Sequence, residues 1–554
     1  MGTYQGNAVK AVFTAMAEQI DAAAPRGWKR AELRGYAAGP DAAGHRGLRF
    51  EPDELNEYGA NDIDVFDGMG ELHTLLEASD NLTIELELES RGRYRAMLSE
   101  RLDRTHGRGF RYLLDPDSAP PEPGELQTSP DALEAGDPGE AVALLGEYLR
   151  RLGEILGPGS ERDLPPPLPE LERQEIMADL GVVLPQDLNA LYAAVDGDGG
   201  RGLLHGHGWF GLEMLAEFCD PEERWWVTRG WRRHVSPAFI NEFGPPLTVR
   251  RLSDCPAWIP FATDTFGNYL AVDMAPGPRG RPGQVILIGR NHGDGPTYVA
   301  DSVTSLLRRH VDALASGSFK RGDEGGLWIN AGDLEHHKRH YSETCTLEVT
   351  GLDAAPVRGM RPEIRELTVR NAPWAGFGPV RGAPALWQVS VHNCPGADLS
   401  PLRDTPVEVL DLAMDTIDLT GLENHPTVRR VVLHSEKPVD LRPLLSCPRL
   451  HGLDLTDALA ADVSVLGEAT RLQYLKLQRP QWEELWRRKA VPASLALAEL
   501  AEEPPQERKL YWSFDNAYKK LRPTLDDAVD WAKSLAPDSA DIWTFKGRFS
   551  VPRR

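Results

Sequence analysis

The chain has 554 residues and a formal net charge of −23, which arises from 61 basic and 84 acidic side chains. Its length exceeds what one hydrophobic core supports, and its 41% apolar content excludes general disorder, so several globular domains are expected. The negative charge argues against partners such as nucleic acid and anionic membranes and favours basic proteins, although solubility alone also explains it.

Residues 1–114 are predicted to form an acidic α+β module that begins with an amphipathic helix ending at Pro25. The alternation of Leu82–Glu89 predicts a strand with Glu85, Glu87 and Glu89 on one exposed face. Residues 50–90 hold thirteen acidic side chains and no lysine or arginine, so this face is a candidate site for a basic partner. The alternative is a solvated edge that protects the sheet against aggregation.

Residues 115–163 are rich in proline, glycine and acidic residues, which predicts a solvated linker interrupted by one helix over 139–156. A mixed α/β domain is expected over 164–317. The amino-terminal segment lacks an apolar signal region, and no apolar run reaches the length of a membrane helix. A cytoplasmic location is therefore expected, and the five widely spaced cysteines agree with a reducing compartment.

A regular repeat follows over residues 340–500, where pairs of apolar residues separated by one position recur at intervals of about 21 or 22 residues. This period predicts a solenoid in which each repeat supplies one short strand and buries its apolar side against its neighbours. The six pairs are Leu367/Val369, Val389/Val391, Leu410/Leu412, Val431/Leu433, Leu453/Leu455 and Leu475/Leu477. The segment 501–554 is rich in aromatic residues and is predicted to cap the open end of the repeats.

Side chains that alternate with these buried pairs are expected on the open face of the strands. The face is polar and of mixed charge, which favours protein recognition, and an unused wet face is the alternative. The candidate partner-binding residues on it are Arg370, His392, Asp411, Arg430, His434, Asp454 and Tyr474.

Three segments resemble the Smi1/Knr4 (SUKH) family in the order in which that family has them. They are LPQDLNALYAAVDGDGG at 184–200, WIPFATDTFGNYLAVDMAPGPRGRPGQVILIG at 258–289, and YVADSVTSLLRRHVDAL at 298–314. The array over 347–480 resembles bacterial leucine-rich repeats, although the usual asparagine of that family is only loosely kept, at Asn371 and Asn393. Residues 1–114 are similar to YezG-like immunity proteins through the first helix, Trp28 and the turn at 92–94.

These resemblances imply an α+β multi-domain protein in which a Smi1/Knr4-like domain precedes a leucine-rich-repeat solenoid. Such domains bind proteins: bacterial members neutralise toxins and fungal members are interaction hubs. Within the domain, Asp196, Asp198, Asp264 and Asp273 could form an acidic rim for a basic partner. The alternative is that Asp196 and Asp264 only close turns beside Gly197 and Gly267.

The chemistry of catalysis and metal binding has no support in the sequence. No nucleophile elbow, phosphate-binding loop or kinase signature occurs. The histidines at 205, 207, 336, 337 and 340 lack the spacing of a zinc site, so no metal or cofactor is expected. The leading hypothesis is a bacterial immunity protein that binds a basic toxin; the alternative is a regulatory scaffold holding separate partners through the Smi1/Knr4-like domain and the repeats. An unrecognised enzyme is the third possibility.

Overall fold

In this computed structural model the described residues are 3–40, 42–52, 63–78, 81–104, 109–118, 121–157, 164–181, 183–204, 206–219, 240–321, 327–329, 336–351, 360–501, 525–536 and 541–551. Contacts divide the chain into two compact units. The terminal unit comprises Met1–Ser118, Val431–Leu445 and Leu450–Arg554, and the central unit comprises Ala119–Arg430 and Ser446–Arg449. Both units combine helices and sheets, which confirms the predicted α+β class.

The helices in chain order are α1 (Thr3–Ala23), α2 (Phe66–Leu76), α3 (Pro138–Leu156), α4 (Glu170–Asp179), α5 (Gln186–Ala194), α6 (Leu212–Cys219), α7 (Val303–Ala315), α8 (His336–Thr344), α9 (Arg442–Leu445), α10 (Arg479–Arg488) and α11 (Leu525–Leu535).

The strands in chain order are β1 (Arg30–Ala37), β2 (Ala43–Glu51), β3 (Leu82–Glu89), β4 (Arg93–Ser99), β5 (Leu102–Arg104), β6 (Phe110–Leu113), β7 (Gly208–Trp209), β8 (Trp258–Thr263), β9 (Asn268–Asp273), β10 (Gln284–Gly289), β11 (Thr297–Ala300), β12 (Phe319–Arg321), β13 (Leu327–Ile329), β14 (Thr346–Thr350), β15 (Glu366–Arg370), β16 (Ala375–Gly376), β17 (Gln388–Cys394), β18 (Ala397–Asp398), β19 (Val409–Met414), β20 (Arg430–Val439), β21 (Gly452–Ala460), β22 (Tyr474–Gln478), β23 (Leu497–Ala501) and β24 (Ile542–Arg548).

One sheet of the terminal unit has the order β2-β1-β3-β4-β24, so the last strand of the chain pairs with the amino-terminal module. The apolar faces of α1 and α2 pack on this sheet, and Phe13 and Ile20 are fully buried among its side chains. Phe545 and Phe549 belong to the same core. These aromatic residues of the tail therefore complete the amino-terminal sheet.

The terminal unit also contains parallel strands β21, β22 and β23, and β23 pairs in antiparallel fashion with β6. The amino-terminal module thus supplies the strand beside β23 through hydrogen-bonded backbone. Trp531 of α11 lies with its ring centroid 6.2 Å from that of Trp482 in α10. The tail aromatics at 511–514 lie outside the described residues, and the domain boundaries stay predictions.

The first domain of the central unit is built on the antiparallel sheet β11-β10-β9-β8-β7. Its strands are buried almost without interruption, and α3, α5 and α7 contribute to one continuous apolar core with them. Helix α7 begins at Ser302, whose hydroxyl accepts a hydrogen bond from the Ser305 N–H group, as expected for a helix cap.

The repeats of the central unit supply the parallel strands β14, β15, β17 and β19, and each apolar pair lies opposite the next. Leu367 pairs with Val389, and Val389 pairs with Leu410; all three side chains are fully buried. The 21- or 22-residue interval therefore corresponds to one step between neighbouring parallel strands. Asn371 directly follows β15 and Asn393 is the penultimate residue of β17. Both lie in the left-handed region, with φ of 55° and 56°, which asparagine tolerates better than most residues.

The segment predicted as a solvated linker is bound to its neighbours over 121–137, which corrects that prediction for these residues. The Gly124 N–H group donates to the Arg251 carbonyl at 2.9 Å, and Glu122 accepts from the Ser253 hydroxyl at 2.5 Å. Arg429 of the repeats donates to the Pro121 carbonyl at 3.1 Å. Residues 121–137 therefore lie against the domain surface, because the Pro121 carbonyl and the Glu122 carboxylate accept hydrogen bonds from it.

Buried charges join the first domain of the central unit to its repeats. Arg365, 1% exposed, donates to the carbonyls of Glu242 and Gly244, and its Nε lies 3.2 Å from the Glu242 carboxylate. A second set places the Glu408 carboxylate in contact with Arg251 and 2.7 Å from Arg429. A buried pair tolerates little movement because separation leaves a charge without solvation. These domains therefore hold a fixed relation within the unit.

Candidate protein-binding surfaces

The glycine-rich loop after α5 is organised by Asp196 and Asp198. Asp198 is fully buried and accepts hydrogen bonds from the N–H groups of Gly200, Arg201 and Leu203 at 2.9 to 3.1 Å. Asp196 is half-buried and accepts from the Leu212 N–H group at 2.8 Å, at the start of α6. The prediction that Asp198 contacts a partner is wrong, because its carboxylate serves the loop backbone.

The hairpin between β8 and β9 lies beside this loop, because β7 pairs with the end of β8. Asp264 accepts hydrogen bonds from the Phe266 and Asn268 N–H groups and from the Asn268 side chain, and these bonds outweigh partial burial and lower the pKa of Asp264. Phe266 is 74% exposed at the tip. The aspartate thus shapes a rigid turn that presents an aromatic ring.

Asp273 lies at the far end of β9 and is fully buried, which contradicts its predicted place on an acidic rim. It accepts from the Ala275 N–H group at 3.0 Å and from the Gln284 amide at 2.9 Å. Burial raises the pKa of Asp273 to about 7 in spite of these bonds. Asp273 therefore acts as a hydrogen-bond acceptor inside its own domain, and its carboxyl group keeps its proton to a higher pH than usual.

The acidic strand β3 is central in its sheet, and this position corrects the prediction of one exposed face. Glu85 is 2% exposed, Glu87 is half-buried and Glu89 is exposed. Arginines on the neighbouring strand β1 oppose them: Arg34 lies opposite Glu85, and Arg30 reaches Glu87 at 3.5 Å. The neighbours thus supply the positive charge that the stretch 50–90 lacks. The acidic residues at 53–62 lie outside the described residues.

The predicted strand face in the central unit carries basic and acidic side chains on adjacent strands. Arg370 Nε lies 3.1 Å from the Glu348 carboxylate, and His392 Nε2 lies 3.8 Å from the Asp411 carboxylate. Arg370 is exposed, while His392, Asp411 and Arg430 are half-buried. This face is accessible and nearly balanced in charge.

The strand face in the terminal unit is more deeply buried. The Tyr474 hydroxyl donates to Glu499 at 3.0 Å, and Lys476 lies 3.1 Å from Asp454, whose pKa is lowered because this ammonium and hydrogen bonds from Thr456 outweigh its burial. His434 lies 3.0 Å from the Asp457 carboxylate. Tyr474 is 4% exposed, which argues against a direct contact between this ring and a partner.

Two features of the repeats were not found from the sequence. First, an aspartate opens the short helical turn of successive repeats by accepting the N–H group two residues later at 3.0 or 3.1 Å. These aspartates are Asp398, Asp418, Asp440 and Asp462. Their spacing of 20 to 22 residues was a readable signal. Second, Trp374 is 50% exposed although it lies in a repeat.

Within the described part of the chain, no three histidine, cysteine or acidic side chains come together as a metal site requires. Across the same residues, no helix is both long and apolar enough to cross a bilayer.

In a comparison with known protein families, residues 167–309 match the family described as SMI1 / KNR4 family (SUKH-1). A KNR4/SMI1 homolog of Eremothecium gossypii is 41% identical over 91 residues, which are 16% of this chain and 14% of that protein. A glucan synthesis regulatory protein of Neurospora crassa is 45% identical over 75 residues, 14% of each. The cell wall assembly regulator SMI1 of Saccharomyces cerevisiae is 36% identical over 91 residues, 16% of this chain and 18% of that protein.

The chain therefore spans less than a fifth of the length of these curated relatives. Among solved structures, an internalin from Listeria monocytogenes is similar with a TM-score of 0.20 and 16% sequence identity, covering 27% of this chain and 54% of that one.

Proposed function

Residues 167–309 belong to the SMI1/KNR4 (SUKH-1) family, and from this premise we propose that the chain is a non-catalytic regulatory scaffold. Its SMI1/KNR4 domain and its repeats would hold separate protein partners. The relatives are named as regulators of cell wall assembly or glucan synthesis, so regulation is the role that their names support.

The immunity hypothesis is corrected by these comparisons. The Neurospora and Saccharomyces relatives are named as regulators, and none of the three relatives compared above is named as a toxin antagonist. The hypothesis of a basic toxin as partner also loses its structural basis, because Asp198, Asp273 and Glu85 are buried.

The observation that carries the proposal is the fixed junction inside the central unit. Arg365 is bound by Glu242, and Glu408 by Arg251 and Arg429, so a domain that can bind one partner is attached rigidly to strands that can bind another. A rigid junction lowers the entropy lost when both surfaces are occupied. Regular parallel pairing at a 21- or 22-residue interval supports a leucine-rich-repeat array, a class that recognises proteins.

Two surfaces remain candidates for these contacts. The first surface lies in the SMI1/KNR4 domain and consists of the turn shaped by Asp264 together with the loop of Asp196. The second surface is the strand face of the repeats that carries Arg370, His392 and Asp411. Arg430, His434 and Asp454 are further candidates on strands of the same period.

The test compares three full-length chains by quantitative affinity purification: the wild type, Phe266→Asp and the double variant Arg370→Glu/His392→Glu. Each variant changes side chains that are exposed or half-buried, so folding should persist. We expect each variant to lose a different set of co-purified proteins and to keep the set lost by the other. Loss of the same set by both variants, or of nothing by either, would contradict a scaffold with two separate surfaces.

A further inference from the structure

We propose that the ends of strands β15 and β17 form a docking site for an extended segment of a protein partner, with Trp374 as its apolar anchor. The site, called the strand-exit patch, consists of Arg370, Asn371, Trp374, His392 and Asn393. The inference deepens the proposed function, because it gives the repeats a particular contact and a partner of defined chemistry.

The strand-exit patch is continuous because the chain segments that follow β15 and β17 run side by side. The Asn371 N–H group donates to the His392 carbonyl at 3.0 Å, and the Ala375 N–H group donates to the Gly396 carbonyl at 3.1 Å. Trp374 therefore lies in a segment that is hydrogen-bonded to its neighbour on either side of the ring.

Gly396 provides the seat of the Trp374 ring. A Cβ atom built on Gly396 would lie 2.8 Å from Cζ3 and 3.3 Å from Cη2 of Trp374, closer than atoms can approach without movement. The φ angle of Gly396 is not in the left-handed region, so the backbone does not require glycine here. A larger residue at this position would displace the Trp374 ring. A half-exposed tryptophan whose ring lies close to Gly396 loses little freedom on binding, which is the property of an interface anchor.

The two asparagines add polar recognition at the distance between neighbouring strands. Asn393 Nδ2 donates to Asn371 Oδ1 at 3.3 Å, and both side chains are exposed. This bond leaves a donor on the Asn371 amide and an acceptor on the Asn393 amide, on two neighbouring strands. A polypeptide in extended form offers N–H and C=O groups in alternation, so its backbone can satisfy both.

Charge decides against a strongly charged ligand. Arg370 has Glu348 at 3.1 Å, and His392 has Asp411 at 3.8 Å, each on an adjacent strand. A phosphate or a polybasic tail would have to displace one of these partners. An uncharged segment that places an apolar or proline side chain over Trp374 can bind without displacing Glu348 or Asp411 from these pairs.

The test pans short random peptides displayed on phage against the full-length chain, with counter-selection on Trp374→Ala. We expect enriched peptides to share an apolar or proline position. A synthetic peptide of that sequence should bind Trp374→Ala at least about tenfold more weakly than wild type. Asn393→Gly, which keeps the left-handed backbone and removes the amide, should weaken binding by about threefold to tenfold.

Two further variants separate the ring from the fold. Gly396→Ala keeps the tryptophan but displaces it from its seat, so it should weaken binding as Trp374→Ala does. Tyr4→Ala removes an aromatic side chain that is 91% exposed elsewhere, and should leave affinity unchanged. Panning needs no native partner, so its failure is distinct from failure of the scaffold proposal.

Three results would overturn the inference: no peptide enriched on wild type over Trp374→Ala, equal affinity of both proteins for the selected peptide, or enriched sequences dominated by charge. Light scattering of wild type and Trp374→Ala adds a fourth. If the wild type is a dimer and the variant a monomer, a second copy occupies the patch and the peptide proposal is wrong.

Discussion

Replacement of Arg365 by methionine should destabilise the central unit strongly, because Glu242 would stay buried without its partner. Glu242 is 5% exposed at its side chain and Arg365 1%, so neither charge is compensated by water. Removing one member of a buried pair costs about 3–5 kcal/mol. The loss of two bonds from the guanidinium to the carbonyls of Glu242 and Gly244 acts in the same direction.

Hydrogen exchange of the full-length chain, followed by mass spectrometry over 240–250 and 362–372, measures this effect without assuming two-state unfolding. A loss of about 3–5 kcal/mol accelerates exchange by roughly two to nearly four orders of magnitude where opening of the unit controls it. The control is Arg381→Met, since the ion pair of Arg381 with Asp404 is 62% and 58% exposed and should contribute less than about 1 kcal/mol.

The double variant Glu242→Gln/Arg365→Met tests whether the stability loss in Arg365→Met comes from the unpaired Glu242 carboxylate or from the lost packing of the arginine side chain. Glutamine removes the charge and keeps an acceptor for the Leu247 N–H group, so the double variant should be more stable than Arg365→Met alone. Burial raises the pKa of Glu242, and removal of Arg365 raises it further. Arg365→Met should therefore lose stability as pH rises through this folded-state pKa. An acceleration below tenfold, with no recovery in the double variant, would refute the reasoning.

The remaining predictions concern the two units and their acidic residues. A fragment of residues 327–554 should aggregate, because β23 loses β6 and β24 loses β4; a soluble, cooperatively unfolding fragment would contradict these pairings. Glu85→Lys should destabilise the amino-terminal sheet by about 3 kcal/mol, while Glu89→Lys on the same strand should stay within about 0.5 kcal/mol in thermal unfolding. Asp273 has its folded-state pKa raised from 3.8 to about 7, so its stabilising contribution is full at low pH and is lost as pH rises to neutrality; Asp273→Asn should flatten that slope in pH-dependent unfolding, and an unchanged slope would contradict it.

The repeats were predictable because their signal is long and local. One apolar pair every 21 or 22 residues fixes where each strand lies and which side it buries, and the structure pairs Leu367 with Val389 as that period requires. The SMI1/KNR4 domain was recognised from motifs in the right order, and the family match over 167–309 confirms it. Both predictions relied on patterns formed by residues that lie close together in the sequence.

The failures involve partners that are distant in sequence. The Leu82–Glu89 alternation correctly predicts a strand, but it cannot tell whether the strand is central or whether Arg30 and Arg34 lie opposite its glutamates. Residues 121–137 have a linker's composition, and only the fold brings the Arg251 carbonyl to the Gly124 N–H group and the Ser253 hydroxyl to the Glu122 carboxylate. Arg365 and Glu242 are 123 residues apart, and no local pattern indicates their pairing.

The acidity of the chain is therefore a poor guide to its partner. Asp198, Asp264 and Asp273 accept hydrogen bonds from backbone or amide donors of their own domain, and their charges shape turns. The exposed part of the strand-exit patch is an indole ring, two amides and the Arg370 guanidinium, which is paired with Glu348. Electrostatic steering requires an unbalanced field at the docking site, which this patch lacks. Its affinity for a peptide should consequently depend weakly on salt, and a steep fall at high salt would return the argument to a basic partner.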